Sequence, residues 1–318
     1  MIKKVIAQNL DAQESAFFAR ELEFVKSRSY DVLYPEYTAK SLFPVSAEAG
    51  SGAEQITYEQ YDRVGLMKVI ASYADDLPRS DVKGEEFTTP VRSIGGSYGY
   101  NVQEIRASQM AGKGLSQRKA DATRQAYEQE VNDIAWFARP ASKKYAGLTG
   151  FLYNSNTTKS SPTTGNWIAG SATADQIIQD VSEAITLVRT NTKGVERPDT
   201  VRFPIAEYGH IATTPRSSTS DTTILEFLRK VHPGVDFGQE GLVELSGVSP
   251  APSGGSPATQ SVMIVYKRDP MKLTLEIPQP YEQFPAQERN LEYVIPAHGR
   301  IGGVIIYYPL SVNIVEGI

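Results

Sequence analysis

Residues 75–86 read Asp75-Asp76-Leu77-Pro78-Arg79-Ser80-Asp81-Val82-Lys83-Gly84-Glu85-Glu86, and seven of these twelve residues are charged. A hydrophobic core does not accept such a run, so it marks a solvent-exposed tip. Two β-prone segments precede the tip and one alternating segment follows it: residues 56–61, residues 67–70, and Tyr98 with Tyr100 and Val102. This pattern predicts a long β-hairpin over residues 55–105. A polar hairpin of that length is not stable by itself, so we expect it to lie on another molecule.

The composition of the whole chain agrees with a protein that needs partners. The chain has 318 residues, of which 40% are hydrophobic and 22% charged, with 25 Gly and 19 Pro. Counted without Tyr and with Gly, the apolar share is about 42%, slightly under the usual range of about 45–50%. The length allows one or two domains with a sizeable core. This low apolar fraction favours an extended molecule that buries further apolar surface against partner molecules.

Several classes of site are excluded by composition. The chain has no Cys, which rules out disulfides, thiolate metal sites and a cysteine nucleophile. His210, His232 and His298 are too far apart in sequence for a local metal motif, and we predict no cofactor. The apolar runs are much shorter than the roughly 18 residues that span a bilayer. The first residues contain no secretory apolar stretch, so we expect a soluble protein made in a cytoplasm, without a membrane partner.

The periodicity along the chain predicts an α+β fold. Helices are expected near Asp11 and Glu14, over residues 116–138, from a capping box at Thr173–Gln176 to about residue 194, and from Ser220-Asp221 to about residue 232. The predicted strands are residues 200–203, 262–266, 273–277, 291–295, 303–308 and 310–315. Helices and strands are segregated rather than strictly alternating, which is typical of α+β proteins.

No catalytic motif has its structural context. Ser116-Gln117-Arg118-Lys119 matches S-x-x-K, but neither of the companion motifs S-D-N and K-T-G occurs. Asp75 and Asp76 are adjacent on an extended chain and point to opposite faces, which favours a salt-bridging tip over an acid/base pair. Within that tip, Arg79 has the best shape for a bidentate contact. We therefore predict that the protein is not an enzyme.

A basic window precedes and begins the long helix. Arg106, Lys113, Arg118 and Lys119 lie in a stretch without any acidic residue. Cations in the first turn of a helix oppose the helix dipole. The window therefore predicts an acidic partner, which is either the carboxylates of a neighbouring molecule or the phosphates of enclosed nucleic acid. A solvated helix start is the plainer alternative, and the net charge of −5 confines any DNA contact to local patches.

Tyrosine is abundant, with 17 residues in the chain. Five of them cluster in the predicted hairpin and two end a late strand, namely Tyr58, Tyr61, Tyr73, Tyr98, Tyr100 and the pair Tyr307-Tyr308. Tyrosine suits surfaces that are half-buried against partners.

The order of these elements resembles the Hong Kong 97-type fold of tailed-bacteriophage major capsid proteins. Five further stretches are similar to one such family, namely residues 73–79, 90–94, 100–107, 147–150 and the ending from residue 302 to residue 318. One departure is Ala138-Arg139-Pro140, which follows the long helix where the family has a small turn containing Gly.

This resemblance implies an assignment for each part of the chain. Residues 1–50 form an N-terminal arm, 51–105 the E-loop hairpin, 106–170 the P-domain with its spine helix at 116–138, 171–267 the A-domain, 268–303 the returning P-domain strands and 304–318 a C-terminal strand. The E-loop tip residues Asp75, Asp76, Arg79, Asp81, Lys83, Glu85 and Glu86 would contact neighbouring subunits.

The resemblance also implies a function. Copies would form hexamers and pentamers of an icosahedral shell around double-stranded DNA, with portal and possible scaffolding or decoration proteins, in a virion assembled in the host cytoplasm. Three alternatives remain open from the sequence: an encapsulin-like nanocompartment shell, a monomeric hydrolase that uses the carboxylates, and a tail-tube protein.

Overall fold

A computed structural model describes residues 35–65, 67, 80–110, 117–145, 147–169, 172–217, 219, 221–238, 244–249, 251–253 and 260–318. The chain divides into two compact units, Met1–Glu36 and Tyr37–Ile318, and every helix and strand with assigned bounds lies in the second unit. The helix predicted around Asp11 and Glu14 lies outside the described residues.

Within the described residues, six α-helices, one short 3-10 helix at Pro309–Ser311 and fourteen strands have assigned bounds. The helices are α1 Ala39–Leu42, α2 Val102–Met110, α3 Arg118–Phe137, α4 Ala174–Asn191, α5 Ile205–Thr213 and α6 Ile224–Val231. The strands are β1 Val45–Ser46, β2 Gln55–Val64, β3 Asp81–Pro90, β4 Arg92–Asn101, β5 Thr158–Ser160, β6 Thr200–Arg202, β7 Asp236–Gly238, β8 Val262–Tyr266, β9 Leu273–Glu276, β10 Gln279–Gln283, β11 Gln287–Arg289, β12 Glu292–Ile301, β13 Gly303–Ile306 and β14 Val312–Glu316. The structure contains both helices and strands, and they do not strictly alternate along the chain. This confirms the α+β prediction.

The strands form four sheets. One has the order β1-β9-β13, a second has β10-β12-β11 with β4 also paired to β12, a third has β5-β14-β8-β6-β7, and the fourth is the ribbon β2-β3. The longest pairing outside the ribbon joins β4 to β12 in antiparallel register from Asn101 opposite Glu292 to Arg92 opposite Ile301.

The five-stranded sheet separates two hydrophobic cores. All five residues of β8 are buried, and they alternate between the cores: Val262, Ile264 and Tyr266 face one, while Met263 and Val265 face the other. A strand that is covered on both faces requires such a continuous apolar run. The first core holds the C-terminal half of α3, and the second holds α4, α5 and α6.

The end of α3 is held by a later segment of the chain. Backbone N–H groups of Gly150, Phe151 and Leu152 donate to the carbonyls of Ala138, Ala135 and Trp136, at 2.8, 2.7 and 3.3 Å. These bonds satisfy carbonyl groups that a helix end leaves without an intrahelical partner. Ala138, which follows the helix directly, has extended backbone, and Gly150 of the later segment approaches the helix end so closely that a Cβ there would lie 2.6 Å from the Ala138 nitrogen.

The structure corrects several predicted elements. The strand with Tyr98 and Tyr100 is not part of the hairpin, because β4 pairs with β12 along its whole length. Val102 begins helix α2 instead of continuing that strand. Helix α5, with Pro204 at its N-cap, was not predicted, and α6 is capped by Thr223 rather than by the Ser220-Asp221 pair. The capping box at Thr173 and Gln176 is confirmed.

Candidate assembly surface

The ribbon of β2 and β3 is exposed on both faces. Gln55 lies opposite Pro90, and the ladder continues without a break to Val64 opposite Asp81. Toward the base, Ile56, Tyr58 and Phe87 are half-buried, but from Glu59 to Arg63 and from Asp81 to Glu86 every described side chain is exposed. An isolated two-stranded ribbon is at best marginally stable in water. Its outer half therefore lacks the packing that would stabilise it.

The predicted tip residues divide into two groups. Asp81, Lys83, Glu85 and Glu86 lie on strand β3, along the side of the ribbon rather than in a loop. Asp75, Asp76 and Arg79 lie outside the described residues. The hairpin is also shorter in sequence than predicted, since its second arm is residues 81–90, not a segment reaching residue 105.

Aromatic contacts hold the base of the ribbon to the body. The rings of Tyr58 and Phe87 stack with centroids 5.3 Å apart, and Tyr58 meets Tyr307 edge-on at 4.9 Å. Burial raises the pKa of the Tyr58 and Tyr307 hydroxyls above the ordinary value for tyrosine. The Val91 N–H donates to the Glu54 carbonyl at 2.8 Å just below this cluster. The ribbon thus leaves the body from a fixed point.

The charges on the ribbon are not balanced within it. Glu59 lies directly opposite Glu86, and like charges in that position destabilise a strand pair. The Tyr61 hydroxyl donates to the Glu59 carboxylate, which is the main reason why the pKa of Tyr61 is raised. Asp62, by contrast, lies opposite Lys83. Arg63 lies on the same face as Glu59, but it is opposite Val82, so neither glutamate of that face has a cation as its cross-strand neighbour.

A groove runs beside the base of the ribbon. Its volume is about 710 Å³, and its walls come from β1 and the following turn, from β2, from the turn before β9, and from the segment after β13. Four tyrosines line it, namely Tyr58, Tyr61, Tyr307 and Tyr308. These tyrosines come from two distant parts of the sequence, and only the fold brings them together.

The predicted basic window is partly neutralised within the chain. The Lys119 ammonium bonds to the Glu104 carboxylate at 2.9 Å and to the Gly99 carbonyl at 3.0 Å, and it lies 4.8 Å from the ring centre of Tyr100. The Lys119 hydrogen bond lowers the pKa of Glu104, with a further contribution from the Asn101 N–H. Lys119 therefore has an acidic partner within its own chain, and a further contact with DNA or with a neighbouring subunit stays a prediction.

The other cations of the window stay at the surface. Arg106 on α2 and Arg118 at the start of α3 are exposed, and Lys113 lies outside the described residues. Sequence analysis missed helix α2 itself, although its signal is present. Asn101 accepts from the Glu104 N–H at 2.7 Å, and the Glu104 carboxylate accepts from the Asn101 N–H at 3.3 Å. This N-x-x-E pattern is a capping box in which Asn takes the place of the usual Ser or Thr.

Two kinds of feature are absent from the described residues. No group of three or more His, Cys, Asp or Glu side chains among them could hold a metal ion. In that same part of the chain, no helix has both the length and the apolar character needed to cross a membrane. Ser116 of the S-x-x-K match lies outside the described residues.

Comparison with known proteins gives one consistent result. Residues 65–318 match the family model described as "Major capsid protein". No curated protein sequence matches the chain at a significant level. Among solved structures, the capsid of Myoviridae phage XM1 superposes with a TM-score of 0.80 at 19% identity, covering 96% of this chain and 99% of that chain.

Two further structures share the fold more distantly. Mycobacterium phage Ogopogo matches with a TM-score of 0.58 at 13% identity, covering 95% of this chain and 99% of that chain. A virus-like particle from Pyrococcus furiosus matches with a TM-score of 0.52 at 11% identity, covering 87% and 91%. The predicted capsid fold is confirmed by these superpositions.

Proposed function

This chain belongs to the major capsid protein family, and we propose that its copies assemble as hexamers and pentamers into the icosahedral head of a tailed phage. The observation that carries the proposal is the β2–β3 ribbon, whose outer half is exposed on both faces. A neighbouring subunit beneath the ribbon would supply the packing that the monomer lacks. The structural relatives, which include the capsid of phage XM1, agree with this function.

The size of the ribbon limits what it can contribute alone. Ten residues per strand give a length of about 33 Å, and two strands give a width of about 10 Å. One face then offers about 330 Å², or about 660 Å² counted over both partners, whereas a specific protein interface buries at least about 1,000 Å² in total. The contact between subunits therefore has to include other surfaces of the body. We also propose the domain assignment that the resemblance implies, in which residues 1–50 are the N-terminal arm and the other domains have the bounds given above.

The shell would enclose double-stranded DNA through weak, non-specific contacts. The basic patch of Arg106, Lys113, Arg118 and Lys119 would face either this DNA or a neighbouring subunit, and Lys119 also bonds to Glu104 of its own chain. So few cations give low affinity at physiological salt, because each phosphate contact contributes a slope of about −0.9 in log affinity against log salt. Weak contact suits a container whose DNA must leave. Portal and possible scaffolding or decoration proteins complete the proposed set of partners.

We assign the protein no catalytic activity and no cofactor, since shell building needs only burial of surface between copies. Assembly would take place in the host cytoplasm, and the product would be the virion capsid.

Electron microscopy of two forms of the chain tests the proposal. The full chain is expected to give closed shells or capsomers. In the second form, Asn-Gly replaces residues 59–86 and closes a tight turn after the Tyr58–Phe87 pair. This variant should stay folded by circular dichroism, because its base contacts remain, and it should form no closed shells. Normal particles from the shortened variant, or a full chain that stays monomeric at high concentration, would contradict the proposed function.

A further inference from the structure

The groove beside the ribbon is an uncovered apolar surface with an acidic rim. Tyr61, Met271 and Tyr308 line it while remaining 63%, 75% and 45% exposed. Contiguous apolar exposure of this kind marks interaction sites in soluble proteins. The charged side chains that line the groove are Glu48 and Glu59, and none of its lining residues is Lys or Arg. An occupant that complements it must therefore be both apolar and cationic.

The local charges strengthen this requirement. Glu59 faces Glu86 across the ribbon, so its carboxylate has a like charge as its cross-strand neighbour. The nearby cation Lys272 is already engaged, because its ammonium pairs with Glu196 and lies 4.2 Å from the ring centre of Tyr308. That contact also shows that a tyrosine of this groove accepts a cation on its face, as aromatic rings do.

Helix α2 has the complementary character. None of its nine residues is buried, so its own chain gives it little packing. Arg106 and Met110 are four residues apart and therefore lie on one face of the helix. Met110 is 93% exposed, and Arg106 is exposed as well. The one acid of the helix, Glu104, is paired with Lys119.

We propose that α2 of one copy docks into the groove of a neighbouring copy, with Arg106 against Glu48 and Glu59 and Met110 against the tyrosines. Methionine sulfur packs favourably against aromatic rings, and the guanidinium supplies the charge that the groove lacks. The inference rests on the proposed shell function and adds a specific contact to it. Because the two surfaces differ, the contact is heterologous, and a heterologous contact that closes generates rings.

Disulfide trapping tests the contact directly, because the chain has no native Cys. In the full chain carrying Met110→Cys and Met271→Cys, oxidation of assembled particles should give covalent oligomers on a non-reducing gel. The matched control carries Met110→Cys together with Val231→Cys. Val231 is exposed at the end of α6, a helix of the second core and not of the groove, so this control should stay monomeric on the gel. Particles that form normally without the first cross-link would overturn the inference and leave the proposed function intact. A wild-type chain that forms no particles would instead refute the proposed function.

Charge reversal provides an independent test. Arg106→Glu and Glu59→Arg should each raise the protein concentration needed for half-assembly by about tenfold, the effect of losing one well-placed charge contact. The double variant should recover most of that loss, whereas Arg124→Glu, an exposed reversal on α3, should change little. Thermal melts of the unassembled variants show whether each is folded. If Arg106→Glu assembles like the wild type and loses only DNA affinity, Arg106 faces DNA and the inference is wrong.

Discussion

Gly150→Ala tests how the spine helix is connected to the rest of the protein. A Cβ atom at residue 150 would lie 2.6 Å from the Ala138 nitrogen and 2.9 Å from the carbonyl oxygens of Ile134 and Trp136. All three are backbone atoms at the end of α3, so no side chain can rotate away to make room. The segment from Gly150 to Leu152 must then move outward.

The expected cost follows from two contributions. Inserting one carbon into a well-packed site costs about 1–3 kcal/mol. Outward movement also weakens the hydrogen bonds to Ala138, Ala135 and Trp136, each of which contributes about 0.5–1.5 kcal/mol net. If the movement breaks one of the three bonds, the free energy of unfolding falls by about 3 kcal/mol in total.

Denaturant unfolding of the unassembled subunit measures this change. Gly209→Ala is the matched control, because Gly209 lies inside α5 with nothing within 4 Å of an added Cβ. The control should gain about 0.4–1 kcal/mol through the lower entropy of its unfolded chain. A loss below 1 kcal/mol for Gly150→Ala, with the control behaving as expected, would refute the role given to the 150–152 segment.

Three further predictions concern other contacts. Gly299→Ala should cost about 1–3 kcal/mol, because the new Cβ would lie 2.5 Å from the buried ring of Tyr127; a thermal melt equal to that of the wild type would contradict this. Phe43→Ala should lower the free energy of unfolding by about 3–5 kcal/mol, because Phe43 is fully buried among three aromatic rings. A loss in denaturant unfolding smaller than the loss that an Ile-to-Val change causes would contradict this. Burial, with the charge of Arg189, lowers the pKa of His232 below its ordinary value of 6.5. Its stabilising contribution is therefore present above pH 6.5 and lost as the pH falls through the lowered pKa, and His232→Gln should weaken the pH dependence of unfolding between pH 7 and 5; an unchanged profile would refute the assignment.

Local signals predicted the elements whose stability is local. The capping box at Thr173 and the unbroken apolar run of β8 each lie within or next to the element that they predict, so α4 and β8 have the predicted positions. Helix α2 was missed because its residues carry no amphipathic pattern, and none of them is buried. A helix of that kind can be identified only by its Asn101 cap.

Pairing partners could not be predicted in the same way. The alternating tyrosines of β4 are compatible with either neighbour, and strand preference does not say which strand follows in the sheet. The structure pairs β4 with β12, almost two hundred residues later in the chain, and leaves the hairpin as a separate ribbon. The choice depends on long-range packing of β4 and β12 against α3, which no short window contains.

The sequence by itself determined the α+β class, the long helix α3 and the exposed, charged residues of β3, because composition and periodicity follow which residues are buried. Only the tertiary structure decided that Gly150 closes the exit of the spine helix, that Lys119 is neutralised by Glu104, and that four tyrosines and two glutamates form one groove. These features join residues that are distant in the chain. Their geometry is set by how the two cores pack, and that information is absent from any single stretch of sequence.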